Sequence, residues 1–184
     1  MRKVHRSELA DYQTYNDTRE ASRAAILEVK RPRRVHVGPW LTFLFENAET
    51  IRYQIQEMMR AERIVRESDI RQEIETYNAL LGDSGELGCC LLVEIDDRAE
   101  REQKLREWRG LPDKVYLRCD DGSLIRPRYD RAQLDDDRIS AVQYLKFAVG
   151  KRRPLALGCD LPGLVSEAVL NEEQQAALVA DLQD

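Results

Sequence analysis

Three polar residues on one predicted helix are the best candidates for acid–base chemistry: Gln54, Glu57 and Glu62. At about 100° per residue, this helix has an apolar stripe that consists of Ile51, Ile55, Met58 and Val65. Glu62 falls in the middle of the stripe. A carboxylate there must meet a cation, stay protonated or lie where the helix emerges into water, because burying an unpaired charge is costly. Glu57 and Glu62 are therefore candidate general bases or metal ligands, with Gln54 orienting a substrate. An ordinary ion pair is the alternative.

A second group of residues is typical of a contact surface. Arg31 to Arg34 form a basic cluster around Pro32, which ends the preceding helix because proline lacks an amide hydrogen. This cluster could hold a phosphate or an acidic partner, or it could be a solvated connector that pairs with a nearby glutamate. The predicted substrate- or partner-binding residues are Arg33, Arg34, Glu46, Gln54 and Arg60.

Cysteine and histidine spacing argues against a zinc or iron–sulfur site within the chain. The cysteines have no C-x-x-C spacing and no histidine near them; they are Cys89, Cys90, Cys119 and Cys159. We interpret them as small, mostly buried thiols, and the adjacent pair should point to opposite faces of a strand. His36 alternates with two valines, and a structural role is favoured over that of ligand or base. The sequence names no cofactor.

Known catalytic and ligand-binding motifs are absent from the sequence. It has no G-x-G-x-x-G or Walker loop, no G-x-S-x-G elbow and no H-E-x-x-H. Asp135, Asp136 and Asp137 lack the spaced oxygen ligands and the glycine of a calcium loop, so a solvated loop is expected.

The composition favours one globular domain of the cytosol. The chain has 184 residues, of which 42% are hydrophobic and 34% charged, enough for a substantial core. The net charge is −5 and the 29 basic residues are scattered apart from one cluster, so nucleic-acid or membrane binding is not favoured. No signal peptide or membrane-spanning run is recognisable. Self-association is left open.

The first half of the sequence predicts helices and one hairpin. A helix capped by Ser7 should extend to about Lys30, with a break near Asn16 and Asp17. A hairpin around Gly38 and Pro39 follows. Asn47 is a good N-cap, so the central helix should start near Ala48. A further helix should run from Ser68 or Asp69 to Leu81, where Gly82 would stop it in the left-handed conformation.

The second half predicts mainly strands. Residues 87–95 are nearly continuously apolar, as in a central strand covered on both faces. A charged surface helix around Trp108 comes next and is another candidate contact surface. Strands are then predicted at 114–119, 123–126, 138–147 and 154–159, and a capping-box pair, Asn171 and Gln174, starts the last helix.

We therefore predict a single α+β domain over residues 1–184. It should have a mostly antiparallel sheet with an N-terminal hairpin, flanked by about five helices. The helical half is about 1–82 and the sheet-rich half about 83–184.

The sequence resembles a bacterial family, domain of unknown function 3501, over nearly its whole length. The resemblance rests on the motif from Phe45 through Glu46 and Thr50 to Glu62, together with Arg33–Gly38, Arg138–Tyr144 and Ala177–Leu182. Genes of this family often lie beside those of a rubrerythrin-like di-iron protein and a cysteine-rich iron–sulfur oxidoreductase. The resemblance implies a role in redox or oxidative-stress physiology, but it supplies no catalytic residues.

Three functional hypotheses follow. The first is an accessory or interaction protein of a rubrerythrin or iron–sulfur redox system, which uses the polar flank of the central helix or the arginine cluster as its contact surface. The second is a small enzyme, with or without a metal, that uses Glu57 and Glu62. The third and weakest is a nucleic-acid-binding regulator.

Overall fold

The computed structural model describes residues 1–133 and 137–184, which form an α+β fold. The helices are α1 (Tyr12–Lys30), α2 (Ala48–Ala61), α3 (Glu67–Asn78), α4 (Arg98–Glu107), the single turn α5 (Leu111–Lys114) and α6 (Glu172–Gln183). The strands are β1 (Arg34–Val37), β2 (Leu41–Glu46), β3 (Glu86–Val93), β4 (Val115–Cys119), β5 (Leu124–Ile125), β6 (Val142–Ala148), β7 (Pro154–Cys159) and β8 (Ser166–Val169).

The strands form two antiparallel sheets, where the sequence predicted mainly one. The first sheet has the order β1-β2-β3-β6 and the second β5-β4-β7-β8. Both predicted hairpins are confirmed, at β1–β2 and at β4–β5. Strand β8 was not predicted, because its four residues alternate between exposed and half-buried positions and lack a continuous apolar signal. The N-terminal hairpin pairs with β3, so it joins the helical half to the sheet-rich half.

One hydrophobic core lies between the two sheets. Phe43 and Phe45 of β2, Leu91 of β3 and Leu117 of β4 are at most 2% exposed. A second cluster lies under α2 and α3 and includes Ile55. Alternation along each strand puts the odd-numbered residues of β2 and β3 in the first core. The even-numbered residues of these strands therefore point to the other side of the sheet.

Helix boundaries follow the predicted caps where the cap is local. Asn47 accepts from the Thr50 amide and starts α2 at Ala48, as predicted. Asn171 and Gln174 form the predicted capping box of α6. The predicted break at Asn16 and Asp17 was wrong, because α1 is continuous and is capped by Asp11.

Three other predictions need correction. Gly82 does not have a left-handed conformation. Glycine is required at this position because an added Cβ would lie 2.2 Å from the Glu86 carbonyl oxygen. Strand β3 is central but is not fully covered, since Cys90 and Leu92 are half-buried. Trp108 is only 5% exposed and packs 5.6 Å from the ring of Trp40, so a contact surface on helix α4 would consist of its exposed charged residues and not of Trp108.

Two remaining expectations concern other parts of the chain. Asp135 and Asp136 of the acidic triplet lie outside the described residues. Among residues 1–133 and 137–184, none of the helices combines the length and the apolar character that crossing a bilayer requires.

Candidate functional site

Glu57 is fixed in an ion pair that joins α1 to α2. Arg19 Nε and Nη2 donate to its two carboxylate oxygens at 2.8 Å each, and the Tyr15 hydroxyl donates at 2.7 Å. Arg60 Nε lies 3.8 Å away. The Arg19 hydrogen bonds lower the pKa of Glu57 to about 2. A carboxylate with so low a pKa is a weak base, so the contacts assign Glu57 to holding the two helices together.

Glu62 lies outside the apolar core. Helix α2 ends at Ala61, and Glu62 is its exposed C-cap residue. The stripe ends with it, since Val65 is 69% exposed. The sequence left three environments open for Glu62. In the structure, Glu62 lies where the helix emerges into water. The structure therefore does not bring Glu57 and Glu62 together as a buried pair.

The polar flank of α2 does not form one continuous surface. Thr50 is completely buried, and its hydroxyl donates to the carboxylate of Glu46. The backbone amide of Thr50 donates to Asn47 Oδ1. Glu57 faces Arg19 instead. Gln54 lies half-buried on the same helix.

Glu57→Gln is expected to lower the free energy of unfolding by about 2 kcal/mol near pH 7, the scale of charged hydrogen bonds. The pKa of Glu57 falls from an ordinary 4.5 to about 2 in the folded protein. Its stabilising effect is therefore complete above about pH 4.5 and is lost as the pH falls toward 2. Urea unfolding from about pH 6 to 2.5 should show the gap between the two proteins closing. Glu62→Gln, the same change at an exposed site, should stay within about 0.5 kcal/mol of wild type. A gap that is independent of pH contradicts the assignment.

Two of the cluster arginines are already paired. Arg33 donates to both oxygens of Asp181 at 2.8 Å each, and Arg31 binds Glu173 at 2.7 and 2.8 Å. These pairs attach the basic cluster to α6. Arg34 is different, since its side chain is 46% exposed and lies 3.9 Å from Glu94. Of the predicted arginines in this cluster, Arg34 is the one available to a partner.

Glu46 lies in a small cavity where α1 meets the first sheet. The cavity has a volume of about 160 Å³ and is lined by Leu27, Lys30, Arg31, Arg33, Arg34, Leu44, Phe45 and Glu46. Burial raises the pKa of Glu46, against the lowering effects of the Thr50 hydrogen bond and of Lys30. Lys30 forms no ion pair with any described residue and lies 5.0 Å from the centre of the Tyr53 ring. Three predicted binding residues, Arg33, Arg34 and Glu46, therefore do share one site.

The outer side of the first sheet continues from this cavity. We call it the open face and define it by the outward residues of β1, β2, β3 and β6. Its middle row is Arg34, Leu44, Cys90 and Tyr144. Tyr144 is 42% exposed and Val142, in the next row, is 38% exposed. Sequence reasoning missed this surface, although a strand was predicted at residues 138–147.

A larger cavity lies at the opposite edge of the open face. Its volume is about 530 Å³, and it is lined by Ala79, Leu80, Arg128, Tyr129, Asp130, Tyr144, Leu145 and Lys146. Lys146 forms no ion pair with the part of the chain that is described. The middle row of the open face is therefore a partly exposed apolar strip, with Leu44 and Cys90 half-buried and Tyr144 exposed. Near its two ends lie the ammonium groups of Lys30 and Lys146, neither of which forms an ion pair with a described residue.

The cysteines have the structural character that the sequence predicts. Cys89, Cys119 and Cys159 are buried, and Cys90 is half-buried on the open face. Burial raises the pKa of Cys90 to about 12, and the nearby Glu46 adds to the effect. A thiol with this pKa is not a thiolate at neutral pH. The residues described by the structure hold no cluster of three or more metal-binding side chains.

Fold and site together define a small α+β protein whose first antiparallel sheet is partly exposed on its outer side, chiefly along β6. The family model described as "protein of unknown function (DUF3501)" matches residues 3–182, and the chain belongs to that family. A crystal structure of a protein of unknown function from Burkholderia pseudomallei has the same fold. It is 30% identical, with a TM-score of 0.90, and the match covers 98% of this chain and 100% of that one. A search of curated proteins found no match.

Proposed function

We propose that this protein is an accessory protein that binds an acidic, partly apolar segment of a partner protein across the open face. The partner belongs to a rubrerythrin or iron–sulfur redox system of the cytosol. The observation that carries the proposal is the partly exposed apolar strip between Lys30 and Lys146. Uncovered apolar surface with a polar rim is typical of interaction sites.

The dimensions of the strip fit a short extended segment. Arg34 and Tyr144 are separated by three strand spacings, about 14 Å at about 4.8 Å per strand. Four or five extended residues span this distance. Apolar side chains of the segment would lie on Leu44, Cys90 and Tyr144, and a carboxylate at each end would meet an ammonium group.

The cavity sizes and charges support a protein segment over a small substrate at the Glu46 end. A cavity of about 160 Å³ is smaller than the roughly 300–1,000 Å³ of small-molecule sites, but it can hold one side chain. Lys30 and Arg34 would attract a carboxylate there. A charged Glu46 would repel that carboxylate. Because the pKa of Glu46 is raised, its neutral form is favoured, and the neutral form does not repel a carboxylate. The choice of a redox partner rests on the gene neighbourhood that the family resemblance implies.

Reversing both terminal charges of the strip should weaken partner binding at least tenfold. The test is affinity purification of tagged protein from its native host without oxygen, followed by mass spectrometry and metal analysis. Wild type is compared with the double variant Lys30→Glu, Lys146→Glu. The matched control is Lys114→Glu, the same change on an exposed residue beside the second sheet.

The expected result is recovery of a rubrerythrin-like or iron–sulfur protein with wild type and Lys114→Glu, and its loss with the double variant. Thermal unfolding of all variants shows whether they are folded. Recovery of the protein alone from wild type overturns the proposal. Equal recovery with the double variant removes the open face as the contact surface, and recovery of a partner outside redox metabolism removes the assigned system.

A further inference from the structure

His36 belongs to a hydrogen-bonded chain of three side chains at the corner of the open face. Its Nδ1 lies 2.8 Å from the Thr42 hydroxyl oxygen, and that hydroxyl donates to the Glu94 carboxylate. Thr42 is 1% exposed, whereas His36 and Glu94 are exposed. We call this chain the relay. Glu94 is 52 residues from Thr42 in the chain, so the relay could not be predicted from local sequence.

The relay determines which imidazole nitrogen carries the proton. A carboxylate can only accept, and the Thr42 hydroxyl has one proton, which it donates to Glu94. His36 Nδ1 must therefore be the donor in its own bond to Thr42. The neutral ring then has its lone pair on Nε2, which is bonded by none of the described residues.

A cationic group lies near the carboxylate end of the relay. Arg34 and His36 are two residues apart on β1 and both are exposed on the same face. The Arg34 guanidinium is 3.9 Å from the relay carboxylate. A nucleophilic nitrogen, a carboxylate linked to the other ring nitrogen and a guanidinium on the same face of the strand are groups that favour transfer of an anionic phosphoryl group to imidazole.

We propose that His36 is a phosphoryl-accepting site that reacts with a small phosphoryl donor. Nε2 attacks phosphorus, the N–P bond forms and the bond from phosphorus to the leaving group breaks. With phosphoramidate, the donor used in the test, that leaving group is ammonia. The Nδ1 proton stays in its bond to Thr42, and the positive charge that develops on the ring is stabilised by Glu94. This inference goes beyond the proposed function and does not depend on it.

The chain has its own matched control for this site. It has two histidines, His5 and His36, and His5 is exposed but is not part of such a relay. Folded protein is incubated with phosphoramidate, and each histidine is followed by peptide mass spectrometry at alkaline pH, where phosphohistidine survives. His36 should be modified at least tenfold faster than His5, and His36→Gln should leave modification at His5 alone.

Two relay variants distinguish the proposal from simple exposure. Thr42→Val removes the bond to Nδ1, and Glu94→Gln, at an exposed position, removes the negative charge. Both should reduce modification of His36 to about the rate of His5. The ¹⁵N shifts of His36 in wild type should show a protonated Nδ1 and an unprotonated Nε2. Equal rates at the two histidines, or relay variants that react as fast as wild type, overturn the proposal.

Discussion

Gly88→Ala is expected to lower the free energy of unfolding by about 3 kcal/mol, at the upper end of overpacking effects. Gly88 lies in the middle of the first sheet, opposite Glu46 on β2 and Lys146 on β6. An added Cβ would lie 2.0 Å from the Leu80 carbonyl oxygen and 3.1 Å from the Gly82 amide nitrogen. Both atoms are backbone, so a rotamer change cannot relieve the overlap.

The effect of Gly88→Ala should reach the open face. The segment after α3 would have to move away from β3, and this segment supplies Ala79 and Leu80 to the larger cavity. Urea unfolding gives the free energy. Gly110→Ala is the control, since nothing lies within 4 Å of the added Cβ and the φ angle of −87° is ordinary. If Gly88→Ala is as stable as Gly110→Ala, the contact between β3 and Leu80 is not tight.

Local signals in the sequence were sufficient for most of the elements. Asn47, Asp97 and Asn171 each accept from an amide three residues further on, so the caps that define α2, α4 and α6 lie within one short stretch. The apolar run of β3 likewise predicts a central strand. These features depend on neighbouring residues alone, and they were found.

Pairing between distant segments could not be read in the same way. The division into two sheets depends on which strands meet, and β8 is too polar and too short to predict its place beside β7. The apolar stripe of α2 includes Glu62 by periodicity, and the sequence left open whether Glu62 would be buried with the stripe or lie where the helix emerges into water. Periodicity gives the direction of a side chain but not the residue at which the helix ends, and α2 ends one residue before Glu62.

The candidate site shows the same division. Arg33 and Arg34 were selected as part of the basic cluster, and Glu46 as part of the motif that carries the family resemblance. Their other neighbours, Cys90 and Tyr144, come from β3 and β6 and could be found only from the strand register. The polar surface that the sequence assigned to α2 is largely used for internal pairing. The surface that we propose for a partner is the open face, which no single segment defines.

Asp181→Ala is expected to have the other large effect, a loss of about 3–5 kcal/mol, because it leaves a buried guanidinium without its partner. Asp181 is 4% exposed and the Arg33 side chain 11%. Besides its two bonds to Arg33, Asp181 accepts from Asn47 Nδ2 at 3.2 Å. Arg33 also donates to the Val29 carbonyl oxygen at 2.6 Å. One carboxylate therefore joins α6 to the end of α1 and to the start of α2.

The neighbouring pair of Arg31 and Glu173 is the matched control. It also joins the basic cluster to α6, but it is exposed: 60% of the Arg31 side chain and 52% of the Glu173 side chain are accessible. Glu173→Ala should lose less than about 1 kcal/mol, as exposed ion pairs do. The double variant Arg33→Met, Asp181→Leu should recover most of the stability lost in Asp181→Ala, since it removes both charges from the buried site. Equal losses for Asp181→Ala and Glu173→Ala in urea unfolding would mean that the Arg33 side chain can turn to water. Arg33 would then be available to a partner, as Arg34 is.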